Sequence, residues 1–166
     1  IENVEKKDAG TATSTASIES IKVIAQNLEI PWDIAFLPDG DLLVTERPGN
    51  LLRINPTSGE KISIAVPGVK HSSEGGLLGL AFHPQFSQNS FIYVYYGVLA
   101  QNGETKNQVV RYDFKNNSLQ NAKSIIENIP GAIYHDGGRI QFGADGLLYI
   151  TTGDATRSNI AQDLSS

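Results

Sequence analysis

One phrase occurs three times along the 166 residues and limits the fold more than any other feature. Its first copy is Ile34-Ala35-Phe36-Leu37-Pro38-Asp39-Gly40-Asp41-Leu42-Leu43-Val44-Thr45. Its last is Ile140-Gln141-Phe142-Gly143-Ala144-Asp145-Gly146-Leu147-Leu148-Tyr149-Ile150-Thr151. Between them, Leu80-Ala81-Phe82-His83-Pro84-Gln85-Phe86 runs through a longer turn into Phe91-Ile92-Tyr93-Val94-Tyr95. Phe36, Phe82 and Phe142 mark equivalent positions, in steps of 46 and 60 residues. Each copy reads as an apolar strand, a turn and a second apolar strand, with glycine supplying positive φ in the two Asp-Gly turns. A further hairpin fits between successive copies, at least after the first two, and this is the period of a four-stranded propeller blade. A β-sandwich gives similar strands but would not be expected to repeat one phrase three times.

The rest of the chain agrees with an all-β reading. Short β-rich runs recur about every ten residues, separated by Gly, Pro, Asn and Asp. Strands are expected at Ser20–Gln26, Pro31–Leu37, Asp41–Glu46, Leu51–Asn55, Lys61–Val66, Leu77–His83, Phe91–Gly97, Gln108–Phe114, Lys123–Asn128, Gly138–Phe142 and Leu147–Thr152. Residues 122–127 suit one turn of helix or a strand. Lys115-Asn116-Asn117-Ser118 is a third hairpin turn, where asparagine tolerates the left-handed region. A propeller ring typically has four to eight blades, and about three are encoded here. The chain is therefore expected to be part of a longer polypeptide. Its open apolar faces would be covered by the remaining blades or by a second copy.

Composition narrows the function. Thirteen Lys and Arg against 18 Asp and Glu leave a net charge of −5. That argues against a nucleic-acid surface, which needs clustered positive charge. No apolar run is long enough for a membrane-spanning helix. The absence of Cys excludes disulfides and thiolate chemistry. Met is absent too, even at position 1, which again suggests processing or a longer parent. Residues 1–17, rich in Thr, Ser and Ala, read as a flexible leader of the kind that follows an export signal, and residues 18–166 as the N-terminal part of a propeller domain.

Few residues suggest chemistry on their own. His71, His83 and His135 are too scattered for a local metal site. His135 lies in Ile133-Tyr134-His135-Asp136-Gly137-Gly138-Arg139-Ile140, just before the first strand of a repeat, where propeller connections reach one end of the channel. It reads either as a loop histidine in a glycine turn or as a general base. Glu74 holds the matching place before the second repeat, as a solvated carboxylate or a channel-facing one. Asp154, Thr156, Arg157 and Asn159 follow the third repeat as ligands or turn formers, and Asp154 alone supplies too few hard oxygens for a calcium loop. Trp32, Tyr93, Tyr95 and Tyr96 read as packing residues.

Together these phrases resemble a family. Ile30-Pro31-Trp32-Asp33-Ile34-Ala35-Phe36-Leu37-Pro38-Asp39-Gly40 is similar to the opening blade of the glucose/sorbosone dehydrogenases, soluble sugar dehydrogenases dependent on pyrroloquinoline quinone (PQQ). The likeness continues through Val44-Thr45-Glu46-Arg47-Pro48-Gly49, Glu74-Gly75-Gly76-Leu77-Leu78-Gly79-Leu80-Ala81-Phe82-His83-Pro84, His135-Asp136-Gly137-Gly138-Arg139-Ile140, Thr152-Gly153-Asp154-Ala155 and Ala161-Gln162-Asp163-Leu164. It covers about residues 20–166.

The resemblance implies a six-bladed propeller with PQQ and calcium at the top of the ring. It implies an aldose oxidised at C1 to the lactone, with electrons passing to an external acceptor. His135 takes the role of general base beside the cofactor. Glu74 lies beside sugar and cofactor, and Asn159 or Gln162 lines the sugar site. The resemblance places no metal ligand in this chain: the calcium contacts and the basic residues for the cofactor belong to later blades, so the chain alone is expected to be inactive. It also implies a periplasmic or extracellular location. Asp136, where relatives often carry Asn, and Tyr134, where some carry Asp, depart from the pattern and bear on sugar preference. A propeller that has lost PQQ and only binds a sugar or protein is the alternative, with a calcium-dependent lactonase propeller a third reading.

Overall fold

The computed structural model describes residues 21–160 and Asp163. The leader expected at residues 1–17 and the candidate Gln162 lie outside the described residues. Strands β1 (Pro31–Phe36), β2 (Leu42–Glu46), β3 (Asn50–Ile54) and β4 (Lys61–Ala65) form one antiparallel sheet in chain order. Strands β5 (Leu77–Phe82), β6 (Phe91–Leu99), β7 (Thr105–Lys115) and β8 (Ser118–Pro130) form a second sheet of the same order. Strands β9 (Gly137–Phe142) and β10 (Leu148–Thr152) make a separate hairpin. The fold is thus all-β and of the propeller type, with two complete blades and the inner hairpin of a third.

The repeated phrase dictates a repeated geometry. Phe36 pairs with Leu42 and Ile34 with Val44, while Phe142 pairs with Leu148 and Ile140 with Ile150. Both turns close alike: the amide of Leu37 donates to Asp41 O, and that of Gly143 to Leu147 O. In the middle copy the longer turn holds a short helix, α1 (Phe86–Asn89), and His83 serves it. Nδ1 of His83 lies 3.0 Å from the amide of Gln85 and 2.9 Å from Nδ2 of Asn89. The β7–β8 turn places Asn116 and Asn117 at φ 50° and 56°, a left-handed pair that matches the twist of the flanking strands.

Residues 122–127 belong to strand β8, in keeping with the strand expected at Lys123–Asn128. One expectation resolves differently. Residues 21–26 form no strand, although Ser20–Gln26 has the composition of one. Ala25 and Leu28 pack instead on Leu42, Val44, Leu52 and Ile54, the outer face of the first blade. β-propensity reports how well side chains fit a half-buried surface, and Ala25 and Leu28 find that burial on a sheet face without joining a ladder.

Alternation sets the core. Ile92, Val94 and Tyr96 of β6 point to the first blade, where they meet Leu43, Leu51 and Ile64. Tyr95, with Tyr93 partly buried beside it, points to the β9–β10 hairpin and Ile140. Phe142 continues this contact, 5.1 Å from the Tyr93 ring. Its counterpart Phe36 is 70% exposed, because no preceding blade lies among the described residues.

The inner strands β1, β5 and β9 run side by side. Oδ2 of Asp33 accepts the Leu80 amide at 3.0 Å, and Oδ1 pairs with Nη1 of Arg139 at 2.9 Å. The Arg139 guanidinium rests 4.0 Å over the Trp32 ring, so Trp32 is a packing residue with a cation above it. These ties hold the three inner strands level, and the connections before β1, β5 and β9 emerge at one end of the structure.

Candidate active site

That end gathers three of the residues singled out by sequence. The turn Ser72–Gly75 closes by Gly75 donating to Ser72 O at 2.9 Å, with Ser73 at φ 51°. It lifts Glu74 toward the β8–β9 connection. The Glu74 amide donates to Ile133 O at 3.2 Å, and Oε2 of Glu74 accepts the His135 amide at 2.9 Å. Blade 2 therefore grips the loop that leads into the third hairpin.

His135 itself has φ 63°. Few residues other than glycine adopt this region, and those that do are held there by their surroundings. The Ala155 amide donates to the His135 carbonyl at 3.2 Å. A Cβ on Gly153 would land on that carbonyl oxygen, and one on Gly137, at φ 68°, would strike the backbone of Thr152 and Gly153. The two glycines let the ends of the hairpin close together.

Their closure brings His135 onto Asp154. Nδ1 of His135 lies 2.9 Å from Oδ1 of Asp154, which also accepts the Thr156 amide at 2.9 Å. The His135 side chain is 61% exposed and that of Asp154 19% exposed. A carboxylate only accepts, so this contact places the imidazole proton on Nδ1 and leaves Nε2 as the nitrogen with a lone pair. The unit is a histidine oriented by a carboxylate, with a second carboxylate beside it: a proton acceptor suited to a hydroxyl group.

The other candidates stand apart. Asn159 is exposed on a short 3-10 turn, Ser158–Ile160, and among the described residues no hydrogen bond joins it to His135, Glu74 or Asp154. Asp154 has no definite role from its local phrase, although the register carries the signal: Gly137 pairs with Thr152, and His135 and Asp154 lie two positions beyond the ends of that pair. A cavity of about 360 Å³ lined by Trp32, Arg47, Glu74, Asp136 and Gly137 adjoins the site. A larger one, about 610 Å³, follows the inner strands past Ala35, Phe82, Arg139 and Gln141. Among the described residues no group of three or more His, Cys, Asp or Glu is placed to hold a metal ion.

Antiparallel four-stranded blades, with His135, Glu74 and Asp154 gathered at one loop end, define a propeller-type protein. Residues 28–166 match the family described as Glucose / Sorbosone dehydrogenase, and the chain belongs to that family. It is 34% identical over 151 residues to quinoprotein glucose dehydrogenase B of Acinetobacter calcoaceticus, which covers 84% of this chain and 32% of that protein. Aldose sugar dehydrogenase YliI of Escherichia coli K12 is 30% identical over 152 residues, covering 87% of this chain and 41% of that protein. The structure of PQQ-bound aldose sugar dehydrogenase from Streptomyces coelicolor superposes with a TM-score of 0.82 at 34% identity, covering 88% of this chain and 44% of that one. The chain thus spans 32–44% of the length of these relatives.

Proposed function

We propose that the polypeptide carrying this sequence is a PQQ-dependent sugar dehydrogenase that oxidises an aldose at C1 to its lactone. The observation that carries the reading is the His135–Asp154 contact of 2.9 Å at the loop end, in a chain of this family. Bound PQQ supplies the acceptor for the hydride that leaves C1. Nε2 of His135 takes the proton of the C1 hydroxyl, and the C1–O bond gains its second bond as the C1 hydrogen departs with its electron pair. Asp154 keeps the proton on Nδ1 and stabilises the imidazolium that results. Glu74, fixed by the His135 amide, offers its remaining carboxylate oxygen to sugar or cofactor. Asn159 and Gln162 are the further candidates for sugar contacts.

The donor set fits the alcohol half of this reaction, since an exposed base and a neighbouring acceptor are what a hydroxyl proton needs. No step here runs through calcium. Electrons leave to an external acceptor. A periplasmic or extracellular location is part of the same proposal; no described helix is long and apolar enough to cross a membrane. The test is dye reduction by the full-length polypeptide with PQQ, calcium and a panel of aldoses. Aldose-dependent reduction that requires PQQ supports the reading. PQQ binding without turnover of any aldose contradicts it.

A further inference from the structure

The carboxylate next to His135 in the chain takes no part in the steps above. Asp136 is 3% exposed. Its Oδ1 accepts two hydrogen bonds, from the Ala132 amide at 3.0 Å and from Nδ2 of Asn107 at 2.9 Å. Its carbonyl accepts the Tyr95 hydroxyl at 2.9 Å. Asn107 and Tyr95 are fully buried, on β7 and β6, and Asn107 also donates to Pro130 O at 3.2 Å. The loop from 130 to 136 is therefore pinned at both ends to blade 2, and cross-tied through the Asp136 side chain.

Such a group is costly to bury. Oδ2 of Asp136 has no hydrogen-bond partner among the described residues, and neither does Oδ1 of Asn107. If packing were the only need, an apolar residue of similar size would serve at lower cost. What an apolar residue lacks is the acceptor that holds Ala132 and Asn107. Meanwhile His135 sits in a left-handed conformation that L-residues resist. Its contacts to Glu74 and Asp154 are open to water, where hydrogen bonds hold a strained loop weakly. The buried anchor lies one residue away. Burial first, and the Asp136 charge second, raise the Tyr95 hydroxyl well above the ordinary tyrosine range, so it stays a donor to the Asp136 carbonyl.

We infer that Asp136 is a positioning residue: with Asn107 and Tyr95 it fixes the loop so that His135 keeps its left-handed backbone and its ring stays on Asp154. The inference rests on the proposed role of His135, and its test separates the two.

The test compares Asp136→Ala, which removes both side-chain bonds, with Asp136→Asn, which keeps an acceptor oxygen, in the full-length polypeptide. Amide hydrogen exchange is read first, without PQQ. In Asp136→Ala the amides of Ala132 and His135 should exchange at least about tenfold faster, while those of β6 and β7 keep their protection. With PQQ and calcium, kcat should fall about a hundredfold with KM changed by less than about threefold. Asp136→Asn should restore exchange to within about threefold and kcat to within about tenfold of the unaltered protein. Should Asp136→Ala fail to fold, Asn107→Ala removes one of the two bonds and should give a smaller rise in exchange at the same amides. Unchanged exchange at residues 132–136 overturns the inference, and so does a uniform rise across blade 2, which would make Asp136 a group of general stability. The exchange result stands whether or not any aldose is oxidised.

Discussion

His135 and Asp154 face each other across the open end of the β9–β10 hairpin, with Nδ1 2.9 Å from Oδ1. If this contact sets the tautomer, Asp154→Asn should lower kcat roughly 10²- to 10⁴-fold, because an amide can donate to Nδ1 and so favour a proton on Nε2. Steady-state kinetics on the PQQ-loaded polypeptide check this. A variant within about threefold of the original rate would mean that Asp154 is only a turn former.

The closure that makes the contact depends on a missing side chain. A Cβ at Gly153 would occupy the place of the His135 carbonyl oxygen. Gly153→Ala should therefore cost about 1–3 kcal/mol and most of the activity. Thermal unfolding and the dye assay, run on the same preparation, measure the two effects.

A control comes from the opposite end of the blades. Nε of Arg53 lies 2.7 Å from Oδ2 of Asp41, Nη2 lies 2.6 Å from Oδ2 of Asp39, and Nη1 donates to Oδ1 of Asn117 at 2.9 Å. This cluster joins the first repeat turn to the β7–β8 turn. Arg53→Ala should lower stability by about 1–2 kcal/mol and leave kcat per folded molecule unchanged. Denaturant titration reads the first, and the dye assay the second.

The third hairpin carries a pH dependence of its own. Asp145 is held below the ordinary aspartate value of 3.8, first by the Leu147 amide and then by the Tyr149 hydroxyl. Its folded value lies below the unfolded one, so its contribution is complete above the unfolded value and is lost as pH falls through the folded one. Tyr149→Phe should raise the Asp145 midpoint toward the ordinary value, as followed by carboxyl NMR. An unchanged midpoint would remove the hydroxyl from the account.

The blades were legible in the sequence because their instruction is local. Phe36, Phe82 and Phe142 each end an inner strand, and each Asp-Gly turn closes by the hydrogen bonds its residue types favour. The segment before Pro31 has strand composition but no strand, because its apolar residues find burial on a sheet face without joining a ladder. Part of the candidate site was legible for a different reason. His135 and Glu74 sit in glycine-flanked phrases that resemble a family, yet nothing local says that Glu74 reaches the His135 amide, 61 positions away. In the sequence Asp136 stands out only as a departure from the family pattern. Its anchors, Asn107 and Tyr95, stand on strands of another blade, and only the packing of blade 2 against the hairpin brings them together.

The most direct test of the central claim is the single-turnover rate of cofactor reduction by an aldose, protiated or deuterated at C1, in the original protein and in His135→Gln. The account predicts a primary isotope effect in the original protein. It predicts a rate about 10²- to 10⁴-fold lower in the variant, with sugar binding retained. Reduction by His135→Gln at the original rate would contradict it, because the proton would then be leaving by another route.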